Sequence, residues 1–366
     1  VPEPDPTAPT FAALGANASD KTDNITTSRW AGVLGAAVYR IEVPASWNGK
    51  LVMYAHGYTA STGLRASAPA IRRHLIQNGY AWAASSYSKN YYDVRAGIED
   101  TNALALAFNG IAKANGRELA APTQTYIIGS SMGGHIAAAA VETETSATAN
   151  NKVRYDGSVP MCGVVADTEH FDWLASAQVT AQALAGLPKY PVLYWTDIEP
   201  QVRSALFTTF RSPNIATTAL GEKYASVVEH LTGGQRPMFD IAFQTGGSFF
   251  SVWGVLGGDG TIDGVLNRSP LDPTRFTYKI DGDEAGSATL NAQVLRLEAD
   301  PEANRLRRDG LRWIPKDNGE FSVPVVSLHT LGDLYVPFSM EQIYRKRAIT
   351  KGSDGWLVQR AIRGVG

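Results

Sequence analysis

Gly129-Ser130-Ser131-Met132-Gly133 is the stretch of this chain best suited to chemistry. It follows an apolar run, Thr125-Tyr126-Ile127-Ile128, and precedes an alanine-rich run with helical character, Gly134 to Val141. A strand, a Gly-x-Ser-x-Gly turn and a helix, in that order, form a nucleophile elbow. Such a turn leaves its flanking positions little room for a Cβ, and glycine answers that demand. Ser131 is therefore the expected nucleophile. Ser130 occupies the variable position and is expected to be structural. The other reading of the pentapeptide is a Gly/Ser loop that caps a helix.

A serine hydroxyl stays protonated near neutral pH. It needs a histidine to take its proton and a carboxylate to hold that histidine in the right tautomer. It also needs N–H donors for the developing oxyanion, each worth about 3 kcal/mol of barrier. The chain must supply these from elements distant in sequence.

The elements that would position them alternate. Strands are expected at Gly35–Val43, Leu51–Ala55, Ala81–Tyr87, Thr125–Ile128, Gly157–Val165, Pro324–His329 and Gly355–Ile362. Helices are expected at Ala70–Asn78, Ile98–Ala114 and after the elbow. This alternation predicts an α/β fold with a mostly parallel central sheet and helices on both faces. Residues 1–27 are polar and Pro/Ala-rich and read as an N-terminal arm.

The pattern changes between residues 167 and 321. Helical segments dominate, at Trp173–Leu187, Pro200–Phe210, Leu220–Leu231 and Leu290–Arg308, and aromatics are frequent. This stretch reads as a large, mainly helical lid insertion between the two parts of a catalytic domain, 28–166 and 322–366. Its rings either shape a binding surface for an apolar or aromatic group or form the core of the insertion itself.

With these residues in place, the chain resembles the α/β-hydrolases, serine carboxylesterases and lipases with an inserted lid among them. The resemblance covers roughly 35–166 and 322–366. In that family the triad runs serine, acid, histidine in chain order. The acid follows a late strand in a run such as Leu331-Gly332-Asp333-Leu334-Tyr335-Val336-Pro337, so the resemblance makes Asp333 the acid. Asp167, just after the Val164-Val165 run, is the alternative acid. A simple Asx turn is the other reading of Asp333. The resemblance also makes the backbone N–H groups of Met132 and, through His56-Gly57-Tyr58, of Tyr58 the oxyanion donors. Gly57-Tyr58-Thr59-Ala60 and Ser131-Met132-Gly133-Gly134 further resemble segments of cutinase-like polyester hydrolases, in which a ring after the glycine lines the acyl site. That family lacks the large insertion.

The family places its histidine after the acid and the last strand. None of the six histidines here follows Asp333. The base is therefore expected beyond Gly366, with His329 and His170 as fallbacks. His135 is expected to pack or cap, and His74 and His230 to be solvated.

The bulk numbers exclude other classes. The net charge of −2 offers no basic field for nucleic acid. No apolar run has the length of a membrane span. Cys162 is the sole cysteine, so no intrachain disulfide can form within this sequence. No cofactor and no metal are expected. The acid/glycine loops Gly257–Gly264 and Asp281–Glu284 lack a calcium-loop spacing and read as turns. The start at Val1-Pro2-Glu3, together with possible glycosylation acceptors at Asn17, Asn24 and Asn267, suits a secreted or periplasmic protein. The expected reaction is cleavage of a small-molecule or polymeric carboxylic ester through an acyl-enzyme, with an apolar or aromatic substrate group. A peptidase or amidase on the same fold and a non-catalytic binding protein are the alternatives.

Overall fold

The computed structural model describes residues 11–15, 25–59, 63–190, 194–245, 247–253 and 268–365. Ala60, Asn17, Asn24, Asn267 and the loop 257–264 lie outside the described residues.

Ten strands are present among the described residues: β1 Thr27–Leu34, β2 Ala37–Pro44, β3 Lys50–Ala55, β4 Ala81–Ser85, β5 Gln124–Ser130, β6 Gly157–Met161, β7 Phe207–Arg211, β8 Asn214–Thr217, β9 Val325–Thr330 and β10 Leu357–Ile362. Eight of them form one sheet in the order β1-β2-β4-β3-β5-β6-β9-β10. The pairs β3·β4, β3·β5 and β5·β6 are parallel, while β1·β2 and β2·β4 are antiparallel. Helices between the parallel strands supply the crossovers that parallel pairing requires. This is the α/β architecture expected from the sequence, with parallel pairing at the centre of the sheet.

The central strands are built for burial on both faces. All five residues of β4 are buried, and Val52, Met53, Ile127 and Ile128 fill the neighbouring strands. Such continuous apolar runs mark strands covered by helices on each side. β1 was not expected. Its polar residues and Gly32 hide the pattern, yet Trp30 pairs opposite Ile41 and is buried.

The chain divides into two compact units. The first comprises Val1–Val165, Leu306–Ser327 and Arg347–Val358; the second comprises Ala166–Arg305, Leu328–Lys346 and Gln359–Gly366. Residues 306–321, which the sequence pattern joined to the insertion, thus belong to the first unit.

In the first unit a buried carboxylate organises the sheet edge. Glu42 is fully buried on β2. It accepts hydrogen bonds from Thr27 Oγ1 at 2.9 Å, Arg72 Nε at 2.6 Å and Trp82 Nε1 at 2.9 Å. Arg72 in turn donates to the Ala12 carbonyl and lies over the Phe11 ring. The described part of the N-terminal arm is held there.

In the second unit the aromatic residues pack on one another. Phe207 contacts Phe210, Tyr224, Phe243 and Trp253 with centroids 4.7–6.5 Å apart. Trp195, Phe207, Tyr224, Phe243 and Phe249 are all buried. Most of these rings thus form a core of the unit itself, while Tyr194 and Phe250 are exposed. Two helices end earlier than expected. The helix Trp195–Leu206 gives way to the β7·β8 hairpin, and the helix Glu284–Gln293 stops fifteen residues short of Arg308. Asp283 caps that second helix by accepting from the Gly286 N–H, and it pairs with Lys223, so the Asp281–Glu284 run is a turn. No described helix is long and apolar enough to cross a membrane.

Two expectations about stability follow. Glu42→Ala leaves Arg72 without its partner and should cost about 3–5 kcal/mol in urea denaturation. Asp172 is buried in the second unit, accepts from the Asp272 N–H and lies 3.2 Å from Arg275. Burial pushes its carboxyl up from 3.8 to about 6. The folded state therefore keeps a proton that the unfolded state loses, and stability falls as pH rises from about 4 to 6. Asp172→Asn should remove that loss. Denaturation of both proteins at pH 4 and pH 7 should show the difference between them changing by up to about 3 kcal/mol.

Candidate active site

Ser131 sits between β5 and the helix Met132–Ala139 with φ 59° and ψ −123°. A non-glycine residue at positive φ is strained and persists only where its surroundings over-determine it. Here they do. The Ser131 N–H donates to the Met161 carbonyl at 3.0 Å, and the Ser131 carbonyl accepts from the N–H groups of Gly134 and His135. The glycines explain how the turn closes. A Cβ on Gly129 would lie 2.1 Å from the Gly133 carbonyl oxygen, and one on Gly133 would lie 2.1 Å from that of Ala55. Backbone thus packs directly on backbone at the end of β3. The Ser131 hydroxyl does not cap its own helix.

The loop after β3 reaches Ser131. A Cβ on Gly57 would meet the Ser130 carbonyl oxygen at 3.3 Å, the Ser131 Cβ at 3.5 Å and the Ser131 Oγ at 3.9 Å. Gly57 therefore lies against Ser131, and Tyr58 follows it, with 49% of its surface exposed. Met132 opens the helix, where the first N–H groups lack an intrahelical acceptor. The first unit thus brings together Ser131, Met132 and the His56–Tyr58 loop.

His56 is part of the scaffold of that loop. Its ring stacks on Tyr87 with centroids 4.0 Å apart, and its nitrogens face the carbonyls of Gly57 and Ser86. Burial lowers its pKa, against the two carbonyl contacts that raise it. Tyr87, itself at φ 60°, donates its hydroxyl to the His56 carbonyl at 2.9 Å. His135 is fully buried below the elbow. Its Nδ1 lies 2.8 Å from the Tyr92 hydroxyl and its Nε2 donates to the Pro315 carbonyl at 2.8 Å.

Asp333 lies in the second unit, on the loop after β9. It is 8% exposed, and its Oδ1 accepts from the N–H groups of Tyr335 at 2.9 Å and Val336 at 3.0 Å. This is an Asx turn, and it leaves the second carboxylate oxygen with no hydrogen bond among the described residues. Burial raises the Asp333 pKa; the charge of His329, the two amides and Arg236 offset part of that rise. Arg236 braces the start of the loop by donating from Nε to the Leu331 carbonyl at 2.7 Å. Burial pulls Arg236 down to about 10.

The two fallback histidines share the second unit with Asp333. His329 is buried, with Nε2 2.7 Å from the Val336 carbonyl and Nδ1 3.3 Å from Glu341 Oε1. His170 is buried and meets the Tyr335 ring edge-on at 5.9 Å. Asp167, the alternative acid, turns its Oδ1 onto the N–H and hydroxyl of its neighbour Thr168. The end of β10 runs beside the acid loop. Leu331 N–H donates to the Ile362 carbonyl at 2.9 Å, and Gly332 N–H to that of Gly364 at 2.8 Å.

Sequence reasoning missed two contributors. Gly134 and Gly163 pack Cα against backbone, with a Cβ on Gly134 only 2.5 Å from the Gly163 Cα; the second glycine after Ser131 was the available sign. Glu341, the partner of His329, carried no local signal.

No family model and no curated protein matches the chain. Solved structures do resemble it. Feruloyl esterase B from Aspergillus oryzae is 15% identical, with 99% of this chain and 78% of that chain covered and a TM-score of 0.48. The rice cell wall degrading esterase LipA from Xanthomonas oryzae is 16% identical over 90% of this chain and 79% of that one, with a TM-score of 0.42. Pyrococcus horikoshii acylaminoacyl peptidase is 9% identical over 94% of this chain, which spans 38% of that one, with a TM-score of 0.43.

The backbone contacts of the elbow predict a sharp steric test. Gly133→Ala must move the Ala55 carbonyl or the helix, and should destabilise the protein by about 3 kcal/mol or more in urea denaturation.

Proposed function

We propose that this protein is a serine hydrolase that cleaves carboxylic esters through an acyl-enzyme. One observation carries the reading. Ser131 holds a strained conformation at a strand-to-helix turn, and the loop carrying Tyr58 is packed against its side chain. Strain of this kind gathers at functional sites. A loop that only capped a helix would use the serine hydroxyl as the cap, and Ser131 does not.

In this reading the Ser131 Oγ attacks the ester carbonyl carbon while a histidine takes its proton. The carbonyl oxygen becomes an oxyanion, held by the Met132 and Tyr58 N–H groups. The tetrahedral intermediate collapses, the C–O bond to the alcohol breaks, and the histidine returns the proton to the leaving alkoxide. Water then repeats the sequence on the acyl-enzyme and restores Ser131. Asp333 orients the histidine through its second carboxylate oxygen. The base is assigned to a histidine following Gly366, because the hydrogen bonds at Ile362 and Gly364 run the chain alongside the Asp333 loop. Tyr58, half exposed beside the nucleophile, offers an apolar face to the acyl group. Export from the cytoplasm fits such a hydrolase of small or polymeric esters.

The test uses the full-length protein. A p-nitrophenyl ester should be turned over and an amino-acid anilide should not; selective anilide cleavage would establish the peptidase alternative instead. A fluorophosphonate probe should label the wild type and not Ser131→Ala. Labelling that survives in Ser131→Ala, or no labelling of either, would sink the reading. Asp333→Asn should lower kcat by about 10⁴ through loss of the correct tautomer.

A further inference from the structure

His329 and Glu341 form a buried side-chain pair, 3.3 Å apart, that the reaction above does not use. They are 1% and 3% exposed. Glu341 belongs to the helix Ser339–Lys351 and His329 to β9, so the pair ties two elements of the second unit. Gln359 on β10 completes the arrangement. Its amide donates to Glu341 Oε2 at 2.5 Å and to the Glu341 carbonyl at 2.8 Å. A buried pair of this sort is costly unless its remaining lone pairs and protons are satisfied. Here both nitrogens of His329 face acceptors, one a carboxylate and one a carbonyl. A ring that donates to both acceptors carries two N–H groups, and that is the charged form.

The carbonyl it reaches is that of Val336. The N–H of the same residue donates to Asp333 Oδ1. The ring, the residue and the acid thus form one hydrogen-bonded chain: Glu341, His329, Val336, Asp333.

We propose that His329 is a positioning residue for the acid: it donates from Nδ1 to Glu341 and from Nε2 to the Val336 carbonyl, and so fixes the residue whose N–H holds Asp333. The proposal rests on the reading of Asp333 as the catalytic acid. It also removes His329 from the candidates for base, because neither nitrogen is available to accept a proton. The ring serves Asp333 in a second way, as a nearby positive charge that favours the carboxylate. The other charged groups around it are few. Arg345 and Arg360 line the same small cavity of about 210 Å³, and Arg236 acts on Asp333 from the opposite segment. Burial lowers the His329 pKa, but the hydrogen bond and charge of Glu341, with the charge of Asp333, carry it above its ordinary value.

Two measurements test this. In the ¹⁵N spectrum of the wild-type protein, both His329 ring nitrogens should be protonated at pH 7. A neutral ring with one N–H would overturn the proposal whatever the enzyme does. The second measurement is the pH profile of His329→Gln, whose amide can still donate to Val336 but carries no charge. The acid limb of kcat/KM for a p-nitrophenyl ester should move up by roughly one pH unit. An unmoved limb would show that the pair only stabilises the fold. A loss of rate as deep as that of Ser131→Ala would make His329 the base and end its role as a positioning residue. Failure of the serine reading has a separate mark: ester turnover that survives Ser131→Ala, with the ring spectrum unaffected.

Discussion

Two backbone carbonyls pressed onto two absent side chains set the geometry around Ser131. Gly129 faces the Gly133 carbonyl and Gly133 faces that of Ala55, each at a distance no Cβ tolerates. The approach brings the elbow onto the end of β3, and β3 continues into the His56–Tyr58 loop. Ser131 and its prospective oxyanion donors are therefore neighbours because three stretches of backbone touch. The positive φ of Ser131 is sustained by hydrogen bonds to Met161, Gly134 and His135. In the loop after β9 the backbone instead holds a side chain, where two amides fix one oxygen of Asp333.

Buried charge does the remaining positioning. Glu42 and Glu341 are removed from water and accept from donors on segments distant in sequence, whereas Asp333 takes its two amides from its own loop. Such groups add little net stability compared with apolar residues of equal size, but breaking one is expensive. They act as registers. Glu42 sets where the arm and the helix Arg72–Gln77 meet the sheet, and Glu341 sets where β9 and β10 meet the helix Ser339–Lys351.

The elements most legible in the sequence were those with an unbroken local pattern. β3, β4 and β5 read as short apolar runs because both faces are buried, and the helix Ala219–Leu231 read from its periodicity. β1 was invisible because an edge strand buries little beyond Trp30. The helix expected across Leu290–Arg308 ends at Gln293 because tertiary contacts override its propensity. Arg296 turns back to donate to the carbonyls of Pro273 and Phe276, which a continued helix could not allow. The aromatic richness of residues 167–321 left its purpose open, since ring packing among themselves and ring presentation to a ligand have the same composition.

The sequence by itself pointed to Ser131 as a candidate nucleophile, because a strained turn demands particular residues at adjacent positions; Asp333 was pointed to by resemblance, and the Asx turn it forms is equally a local pattern. Glycine around Ser131 and Asp333 two residues before Tyr335 are local requirements, written locally. Only the tertiary structure decided what the histidines do. His56, His135 and His329 look alike as letters, although only His329 of the three was a fallback base and His135 was expected to pack or cap. Their ring nitrogens are instead committed to Gly57 and Ser86, to Tyr92 and Pro315, and to Glu341 and Val336. Most of those partners lie far along the chain. A histidine's role is set by what its two nitrogens meet, and that is decided when distant segments pack.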